Sequence, residues 1–483
     1  HSIQHRKTRM RIWIALTALL ASVATAEFDY FSDNRQMIRN GVQAVLTCNG
    51  LFTSNRPIEL VEEQELAYLT ETRFGGVVKD SVTIDTTIGA VTVGGGDSGT
   101  AITAAFREGI GCIVLAPDQS LDDIDGLPEL PASIKDLSET PWPNGDRLAE
   151  TPWPLGVDPN KLARASDRIF EPERDNQVTL SLLVIHKGQI IHERYREGVD
   201  QHTRTRTWST AKSIAVTLIG MLVDRGDLQL DAPLPIDWLP AIDSDDPDPR
   251  SAVTLRDVLH MSSGLFPVDS FNQEYATGSG LAYWAGASSV EGARSRGLIR
   301  EPGSHWDYEN YDTLLAVLAM KNVLGNQEDY LNFPRKALLE KVGMHHTLLS
   351  TDRFGDFILS SQVYTNARDL GRFGLLYLNG GVWQGNRLIS EDWIEFVRTP
   401  APSTADQGNF YGGQFWLVPD GRDDVPKDAY ATAGNRGQYV IIVPSHDLVI
   451  VRRGLDYASP HMNRWDIAAH ILEAFEGKDA TDE

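Results

Sequence analysis

The sequence predicts an α+β fold in which an antiparallel sheet is flanked by helices and joined to a mostly helical subdomain, with a small α/β unit at the N-terminus. Two observations lead to this prediction. Near each end of residues 161–475 two apolar runs flank a turn, at Lys187-Gly188 and at residues 444–447. Between these hairpins the apolar spacing is mostly helical. Because each hairpin needs further strand partners, we expect both ends of this region to meet in one sheet.

The first residues have the pattern of an export signal. Basic residues end at Arg11, an apolar run covers residues 12–20, and residues 24–26 form a small-residue cleavage site. We therefore expect residues 1–26 to be a signal peptide and the protein to be periplasmic or extracellular. An N-terminal anchor helix is the alternative, and Met10 is an alternative start.

Four further segments follow the signal. Residues 27–118 predict an N-terminal unit, with helical spacing up to Leu69, strands within 74–93, and a helix from Thr100 that leads into a strand around Cys112. Residues 119–160 are acidic and proline-rich and predict a stiff linker whose Trp142 and Trp153 dock on the main domain. Residues 161–475 predict the main domain, and 476–483 a disordered tail.

Charge and cysteine content limit the partners and the compartment. The formal net charge is −23, which argues against nucleic acid and anionic lipid as partners and leaves a small molecule as the expected partner. The sequence contains two cysteines, Cys48 and Cys112. In an exported chain a disulfide between them is expected, and two buried free thiols are the alternative. No pattern predicts a cofactor or a metal site, and His202 and His345-His346 show no second ligand at metal spacing.

Ser209 and Lys212 form a Ser-x-x-Lys pattern at the start of a long apolar segment, residues 214–223. Residues three apart share one helix face, so the lysine amine can reach the serine hydroxyl. A partly desolvated lysine has a lowered pKa and can accept the proton that makes serine a nucleophile. A helix N-terminus also offers free backbone N–H groups to a developing oxyanion. The pattern predicts serine acyl-transfer chemistry.

Two later segments supply the remaining groups that this chemistry needs. Tyr308 and Asn310 precede a helical pattern over residues 313–320. A tyrosine near a lysine is expected to lose its proton more easily than at its ordinary pKa of about 10, and then to act as general base and acid. Asn310 offers an amide to orient the lysine or a substrate. Residues 432–438 place glycines at the start of a strand, where a free N–H can complete an oxyanion hole.

The order Ser-x-x-Lys, Tyr-x-Asn, glycine-rich strand resembles the serine β-lactamase and penicillin-binding-protein superfamily, and in particular its class C-like esterase and amidase branch. Residues 253–265, 367–374, 380–383 and 411–416 also match segments of that branch. The N-terminal unit, with residues 47–52, looks like an extension found in relatives of 6-aminohexanoate-dimer hydrolase. The resemblance covers about 161–475.

The resemblance implies roles for individual residues. Ser209 would be the acylated nucleophile, Lys212 its activating partner, Tyr308 the general base and acid, and Asn310 a positioning residue. The backbone N–H groups of Ser209 and Asn435 would form the oxyanion hole, beside Gly434. The family's Lys-Thr-Gly strand motif is here Thr432-Ala433-Gly434, so the lysine that helps to hold a substrate carboxylate is missing.

Several substrate contacts are expected around this centre. Arg436 would supply a replacement charge, or else point to solvent, and His305 would line the pocket. We also expect a cleft lined by aromatic side chains, although each of them is equally compatible with a position in the core. The residues are Tyr275, Tyr283, Trp284, Trp306 and Trp416. The expected function is hydrolysis of esters or amides of small substrates. The alternatives are a penicillin-binding D-Ala peptidase or β-lactamase, and a catalytically quiet ligand-binding protein with the same fold.

Overall fold

The computed structural model describes residues 31–131, 135–242, 244–271 and 277–475. The expected signal peptide, the expected tail and Tyr275 lie outside these residues. None of the helices in the described part of the chain combines the length and the hydropathy that crossing a membrane requires.

The N-terminal unit is a four-stranded antiparallel sheet packed against one long helix. Its elements are α1 (Ser32–Cys48), α2 (Ile58–Leu60), α3 (Glu71–Phe74), β1 (Val82–Asp85), β2 (Ala90–Val93), β3 (Ile102–Arg107) and β4 (Gly111–Val114), with the strands in sequential order. Apolar residues of α1, β2 and β3 form one core. A disulfide joins Cys48 at the end of α1 to Cys112 in β4, with the two Cα atoms 6.2 Å apart.

The helix expected from Thr100 is wrong, because residues 102–107 form the central strand β3. Ile102, Ala104 and Ala105 are buried, and Thr103 is partly buried. The hydroxyl of Thr103 lies 2.7 Å from that of Thr92 on β2, and β4 pairs along the other edge. Pairing on both sides overrides the local helical preference of the alanines.

The main domain contains the remaining elements. In chain order they are α4 (Pro159–Phe170), β5 (Thr179–His186), β6 (Gln189–Tyr195), β7 (Thr205–Arg206), α5 (Thr210–Asp224), α6 (Leu255–Leu259), α7 (Val268–Phe271), α8 (Ser279–Trp284), α9 (Glu291–Arg294), α10 (Asn310–Leu324), α11 (Gln327–Pro334), α12 (Glu340–Val342), β8 (Leu348–Leu349), β9 (Val363–Thr365), α13 (Ala367–Leu378), β10 (Val382–Trp383), β11 (Asn386–Arg387), α14 (Glu391–Arg398), β12 (Trp416–Leu417), β13 (Tyr430–Gly434), β14 (Gln438–Val443), β15 (Leu448–Gly454) and α15 (Arg464–Leu472).

A six-stranded antiparallel sheet joins the two predicted hairpins and confirms the expected fold class. Its order is β12-β13-β14-β15-β5-β6. β15 pairs with β5 so that Val449 lies opposite Ile185. The first hairpin turns at Lys187 and Gly188, which have φ values of 51° and 78°. Positive φ at both central residues is characteristic of a type I′ turn, whose twist matches that of the flanking strands.

Each face of this sheet carries its own core. Side chains of alternate residues, such as Leu183 and Val440, pack with α5, α10 and α13 on one face. Their neighbours, such as Leu182 and Ile441, pack with α4 and α15 on the other face. Trp142 of the proline-rich segment lies in the first core and donates a hydrogen bond from Nε1 to the carbonyl of Gly188 at 2.8 Å. Trp153, in contrast, is 44% exposed.

Candidate active site

Ser209 is the accessible residue in an otherwise buried segment. It immediately precedes α5, and it is partly exposed while residues 205–208 and 210–222 are buried. Trp208 just before it has a φ of 49°, a left-handed conformation that non-glycine residues rarely adopt. This kink turns the chain from β7 into α5 and leaves the Ser209 hydroxyl at the helix N-terminus.

The amine of Lys212 contacts Ser209 and two other acceptors. Nζ donates to Ser209 Oγ at 3.1 Å, to Asn310 Oδ1 at 2.7 Å and to the backbone carbonyl of Ser360 at 2.7 Å. The lysine is one turn along α5 from Ser209, so the helix itself sets the first of these distances. Lys212 is 1% exposed, and its position is therefore fixed from three sides.

Burial lowers the pKa of Lys212 to about 7, with Arg206 adding to the decrease, while the charges of Asp269 and Glu309 oppose it. Near neutral pH a substantial fraction of Lys212 is therefore the free amine. A free amine within hydrogen-bond distance of a serine hydroxyl is the arrangement that a general base requires.

Tyr308 is hydrogen-bonded to Ser209, and burial raises the pKa of its hydroxyl to about 12 despite that hydrogen bond and the charge of Arg464. The Lys212 amine lies 4.9 Å from the centre of the Tyr308 ring. The expectation that Tyr308 loses its proton more easily than a free tyrosine is wrong, because desolvation of the phenolate outweighs the nearby positive charge. At neutral pH Tyr308 is a proton donor, and Lys212 is the better proton acceptor.

Asn310 connects Lys212 to a polar network beneath the site. Its Nδ2 donates to Ser279 Oγ at 3.0 Å, and its backbone N–H donates to Asp269 Oδ2 at 3.2 Å. Ser279 in turn donates from N and Oγ to the Asp269 carboxylate. These contacts hold the amide oxygen of Asn310 toward Lys212, the positioning function expected for this residue.

The segment 432–435 lies directly against the start of α5. The Thr210 and Thr432 hydroxyls are 3.0 Å apart, and a Cβ at Gly434 would stand 2.1 Å from the carbonyl oxygen of Thr207. Only a glycine allows this approach. Asn435, the next residue, is partly exposed like Ser209. The strand is therefore placed beside the serine, as the oxyanion-hole prediction requires.

Two of the expected substrate contacts are not brought to this centre. Arg436 is fully buried and donates to the carbonyls of residues 64, 65, 455 and 456. It therefore joins the β13–β14 turn to the N-terminal unit and supplies no charge to a substrate. His305 is an exposed residue whose Nε2 lies 3.8 Å from Asp307, and no described contact joins it to Ser209, Lys212 or Tyr308.

The described residues of the predicted aromatic cleft divide into partly exposed residues near Tyr308 and core residues. The Trp416 ring lies 5.6 Å from that of Tyr308, and the Trp306 ring lies 6.0 Å from it, with both tryptophans partly exposed. Tyr283 and Trp284 are 2% and 1% exposed and belong to the core. Trp306 and Trp416, together with Phe410 and Tyr411, form one wall beside the tyrosine.

Residues without a sequence motif complete the surroundings of the site. Tyr68 of the N-terminal unit accepts a hydrogen bond from Asn435 Nδ2 at 3.3 Å, and its ring lies 5.1 Å from Trp208. The Ser360 carbonyl accepts from Lys212, and Asp269 and Glu309 act on its charge. Glu309 lies within the Tyr-x-Asn pattern, whereas Tyr68, Asp269 and Ser360 lie in no recognisable pattern and are brought close by tertiary packing.

Three side chains elsewhere form a group that the sequence did not place together. These side chains belong to Asp146, His202 and His346. Each offers one ligand atom, and the three atoms lie within 4.8 Å of one another. Spacing along the sequence did not indicate this group, because Asp146 lies in the proline-rich segment and reaches His202 and His346 only in the folded chain. The Asp146 carboxylate already accepts a hydrogen bond from Arg372 at 2.8 Å. It is thus held in an ion pair within the described residues.

Comparisons with known proteins give a family match and several similar proteins. A family model described as Beta-lactamase matches residues 167–452. The 6-aminohexanoate-dimer hydrolase of Paenarthrobacter ureafaciens is 24% identical over 318 residues, which cover 61% of this chain and 77% of that protein.

Two solved structures share the fold. A protein from Bacillus anthracis assigned as a 6-aminohexanoate-dimer hydrolase aligns with a TM-score of 0.52 at 18% identity, over 72% of this chain and 87% of that chain. EstCE1, described as a hydrolase with promiscuous acyltransferase activity, aligns with a TM-score of 0.50 at 14% identity, over 64% and 98% of the two chains.

Proposed function

This chain belongs to the β-lactamase family, as its motifs led us to expect, and on that premise we propose that it hydrolyses ester or amide bonds of small substrates through an acyl-enzyme on Ser209. The observation that carries the proposal is the contact of 3.1 Å between the Lys212 amine and the Ser209 hydroxyl. The lowered pKa of that lysine makes the contact chemically productive.

In the acylation step, the free amine of Lys212 takes the proton of Ser209 as Oγ bonds to the substrate carbonyl carbon. The backbone N–H groups of Ser209 and Asn435 are proposed to stabilise the resulting oxyanion. The bond to the leaving group then breaks, while Tyr308 donates its proton to the leaving atom and is reprotonated from the Lys212 ammonium.

In the deacylation step, water attacks the acyl carbon and loses its proton to the regenerated amine of Lys212. The second tetrahedral intermediate collapses, Tyr308 donates its proton to Ser209 Oγ and is reprotonated from the Lys212 ammonium, and the free acid leaves. Lys212 and Tyr308 therefore serve both half-reactions: they transfer protons for the leaving group in acylation and for water in deacylation.

Penicillin hydrolysis is disfavoured by the strand residue that replaces the family lysine. Thr432 is fully buried, and its Oγ1 lies 3.0 Å from Thr210 Oγ1 and accepts from the backbone N–H of Val440 at 3.1 Å. It therefore offers no charge to a β-lactam carboxylate. We expect weak or no stable adduct with a fluorescent penicillin.

The names of the relatives do not show whether this chain would prefer esters or amides as substrates. The name of the P. ureafaciens relative denotes cleavage of the 6-aminohexanoate dimer, and that of EstCE1 denotes hydrolysis with acyltransferase activity. A substrate panel for this chain should contain p-nitrophenyl short-chain esters, short linear amides and the 6-aminohexanoate dimer.

The nucleophile is tested with a fluorophosphonate probe and p-nitrophenyl butyrate. We expect a mass shift on the peptide that contains Ser209, with loss of both labelling and ester turnover in Ser209→Ala. Ser213→Ala, which lies one turn along the same helix and is buried, is the matched control. Labelling that persists in Ser209→Ala would exclude Ser209 as the nucleophile, and a folded wild type without labelling or turnover would favour the ligand-binding alternative.

We also propose that the protein is exported. The disulfide between Cys48 and Cys112 supports this, because disulfides persist mainly in oxidising compartments. Fractionation of cells that produce the protein tests the proposal of export. A variant that lacks residues 1–26 is the control. Recovery of the intact N-terminus in the cytoplasm would contradict export.

A further inference from the structure

The side chains of Asp146, His202 and His346 lie at one end of the three-stranded sheet β7-β9-β8. His202 comes three residues before β7, and His346 comes two residues before β8. Both strands pair antiparallel with β9, so they run in the same direction and begin at the same end of this sheet. Asp146 reaches that end from the proline-rich segment. Three segments that are remote in the chain therefore each bring one ligand atom to the same place.

Buried residues of α13 hold two of these three residues in position. Asp369 Oδ2 accepts a hydrogen bond from the backbone N–H of His346 at 2.9 Å, and its Oδ1 accepts from Arg372 at 2.9 Å. Arg372 also donates to Asp146 Oδ1 at 2.8 Å. Asp369 and Arg372 are 0% and 1% exposed. Since carboxylates that bind metals are themselves usually hydrogen-bonded by a second group, this ion pair orients the Asp146 carboxylate, whose Oδ2 has no hydrogen bond to any described residue.

The two histidine rings face each other with room to adjust. His346 is partly exposed, and its ring nitrogens have no hydrogen-bond partner within the described part of the chain. The ring of His202 lies 5.3 Å from it, centre to centre. His202 is exposed, and its Nε2 contacts the neighbouring Gln201 at 3.1 Å. Two ligand atoms on one tetrahedral zinc ion are about 3.4 Å apart, because bonds from zinc to nitrogen and oxygen are about 2.1 Å long. A small rotation of the exposed ring therefore closes the group around an ion.

The charges near the group are compatible with a bound cation. The carboxylates of Asp136 and Asp200 interact electrostatically with His202. Arg204 is a positive charge that acts on His346. The two arginines beside Asp146 each have a further carboxylate partner: Arg368 pairs with Glu193 at 2.7 Å, and Arg372 pairs with Asp369 at 2.9 Å. Among these residues the carboxylates outnumber the arginines.

We propose that Asp146, His202 and His346 bind a divalent transition-metal ion, with Zn²⁺ as the best match, and that this ion fastens the proline-rich segment to the main domain. Two imidazoles and one carboxylate form a ligand set that zinc accepts, with water in the fourth position. Ca²⁺ and Mg²⁺ are disfavoured because they prefer oxygen ligands.

The ion would also act on the segment that carries the nucleophile. His202 lies seven residues before Ser209, and β7 lies between them. An ion that holds His202 to His346 would therefore hold the start of β7 beside the start of β8. Neither the ligands nor this structural role depends on the acyl-enzyme chemistry at Ser209.

Calorimetric titration of the full chain with ZnCl₂, after treatment with EDTA and its removal, tests the site. We expect one tight site, and an increase in Kd of about tenfold or more in His202→Gln and in His346→Gln, since loss of a supporting group alone has an effect of this size. His470→Gln is the matched control. His470 is an exposed histidine 3.4 Å from Glu473, so it offers the same kind of pair without a third ligand, and its replacement should leave Kd unchanged.

Two further measurements distinguish this site from binding to isolated surface histidines. Co²⁺ added in place of zinc should give visible absorption bands in the wild type, and both histidine variants should lose them. Zn²⁺, but not Ca²⁺, should raise the unfolding temperature of the wild type, because an ion that binds only the folded state stabilises it. His202→Gln, which changes only an exposed side chain, should unfold at the same temperature with and without Zn²⁺.

Three results would overturn the proposal. The first is the absence of saturable binding of both Zn²⁺ and Co²⁺ to the wild type. The second is an unchanged Kd for Zn²⁺ in His202→Gln and His346→Gln. The third is equal stabilisation of the wild type and His202→Gln by Zn²⁺, which would place the bound ion elsewhere.

Discussion

The amine of Lys212 donates hydrogen bonds to a hydroxyl, an amide oxygen and a backbone carbonyl, and it contacts no carboxylate within the part of the chain that the structure describes. Asp269 and Glu309 act on it from a distance and only partly offset the cost of burying its charge. Neutral acceptors tolerate a neutral amine, whereas a directly paired carboxylate would have kept the lysine protonated. These neutral partners therefore favour the free amine, as the proposed role of Lys212 as a base requires.

Activity should rise with pH through the titration of this amine. The pKa of Lys212 is lowered from 10.5 to about 7, so protonation removes the base below that pH, and deprotonation restores it above. We expect kcat/KM for p-nitrophenyl butyrate to increase through a midpoint near that value and then to level off. A pH profile measured at constant ionic strength checks this. A profile that is flat between pH 5 and 9 would contradict the role of Lys212 as base.

Removal of the Tyr308 hydroxyl should lower turnover without unfolding the protein. We expect Tyr308→Phe to reduce kcat by at least about a hundredfold, the usual scale of general acid–base assistance. Tyr411→Phe is a matched control, because its ring lies 6.3 Å from that of Tyr308 in the same aromatic wall. An unchanged rate in Tyr308→Phe would remove this tyrosine from the mechanism.

At the scale of elements, the site depends on how closely β13 approaches the segment before α5. Gly434 faces the Thr207 carbonyl, and Thr210 and Thr432 are linked through their hydroxyls. Two elements separated by more than 200 residues are thereby held at backbone contact. The position of Asn435 relative to Ser209 follows from this contact.

Substitution of Gly434 by alanine should therefore damage catalysis. The added Cβ would lie 2.1 Å from the Thr207 oxygen, so the strand must move away from Ser209. We expect a loss of about tenfold to a hundredfold in kcat, the cost of a displacement near 1 Å. Gly126→Ala is the control, since no atom lies within 4 Å of a Cβ built there. Wild-type turnover in Gly434→Ala would show that strand placement is not critical.

At the scale of the whole molecule, the N-terminal unit packs against residues next to Ser209 and Asn435. Tyr68 contacts Asn435 and Trp208, and Arg436 reaches back to the carbonyls of residues 64 and 65. In the same cluster, a Cβ at Gly41 of α1 would lie 1.7 Å from the carbonyl oxygen of Trp284, which ends α8. The extension is therefore part of the structure that surrounds Ser209.

The disulfide should stabilise this arrangement. It closes a loop with a sequence separation of 64, and the chain-entropy model assigns about 4 kcal/mol to a loop of that length. We expect the double variant Cys48→Ser, Cys112→Ser to lose a free energy of unfolding of that order in urea titrations. The wild type under reducing conditions serves as the comparison. An unchanged unfolding midpoint would show that the packing of α1 on the sheet is enough to hold the N-terminal unit folded without the disulfide.

Much of the fold was predictable because its signals are local. The hairpin at Lys187-Gly188, the apolar segment of α5 and the helix after Asn310 each depend on residues that are neighbours in the chain. The strand β3 was missed because its preference for pairing comes from β2 and β4, on either side of it, and its alanines alone favour a helix.

The sequence by itself determined the fold class, the family, and the three segments that carry Ser209, Tyr308 and Asn435. Hydrophobic periodicity and short motifs each depend only on residues that are neighbours in the chain. Only the tertiary structure decided the protonation states and the charges around them. Burial lowers the pKa of Lys212 and raises that of Tyr308. Folding also turns Arg436 away into the N-terminal unit and brings Arg464 to Tyr308. Desolvation and distant charge pairs arise only when remote segments pack together, so no local pattern encodes them.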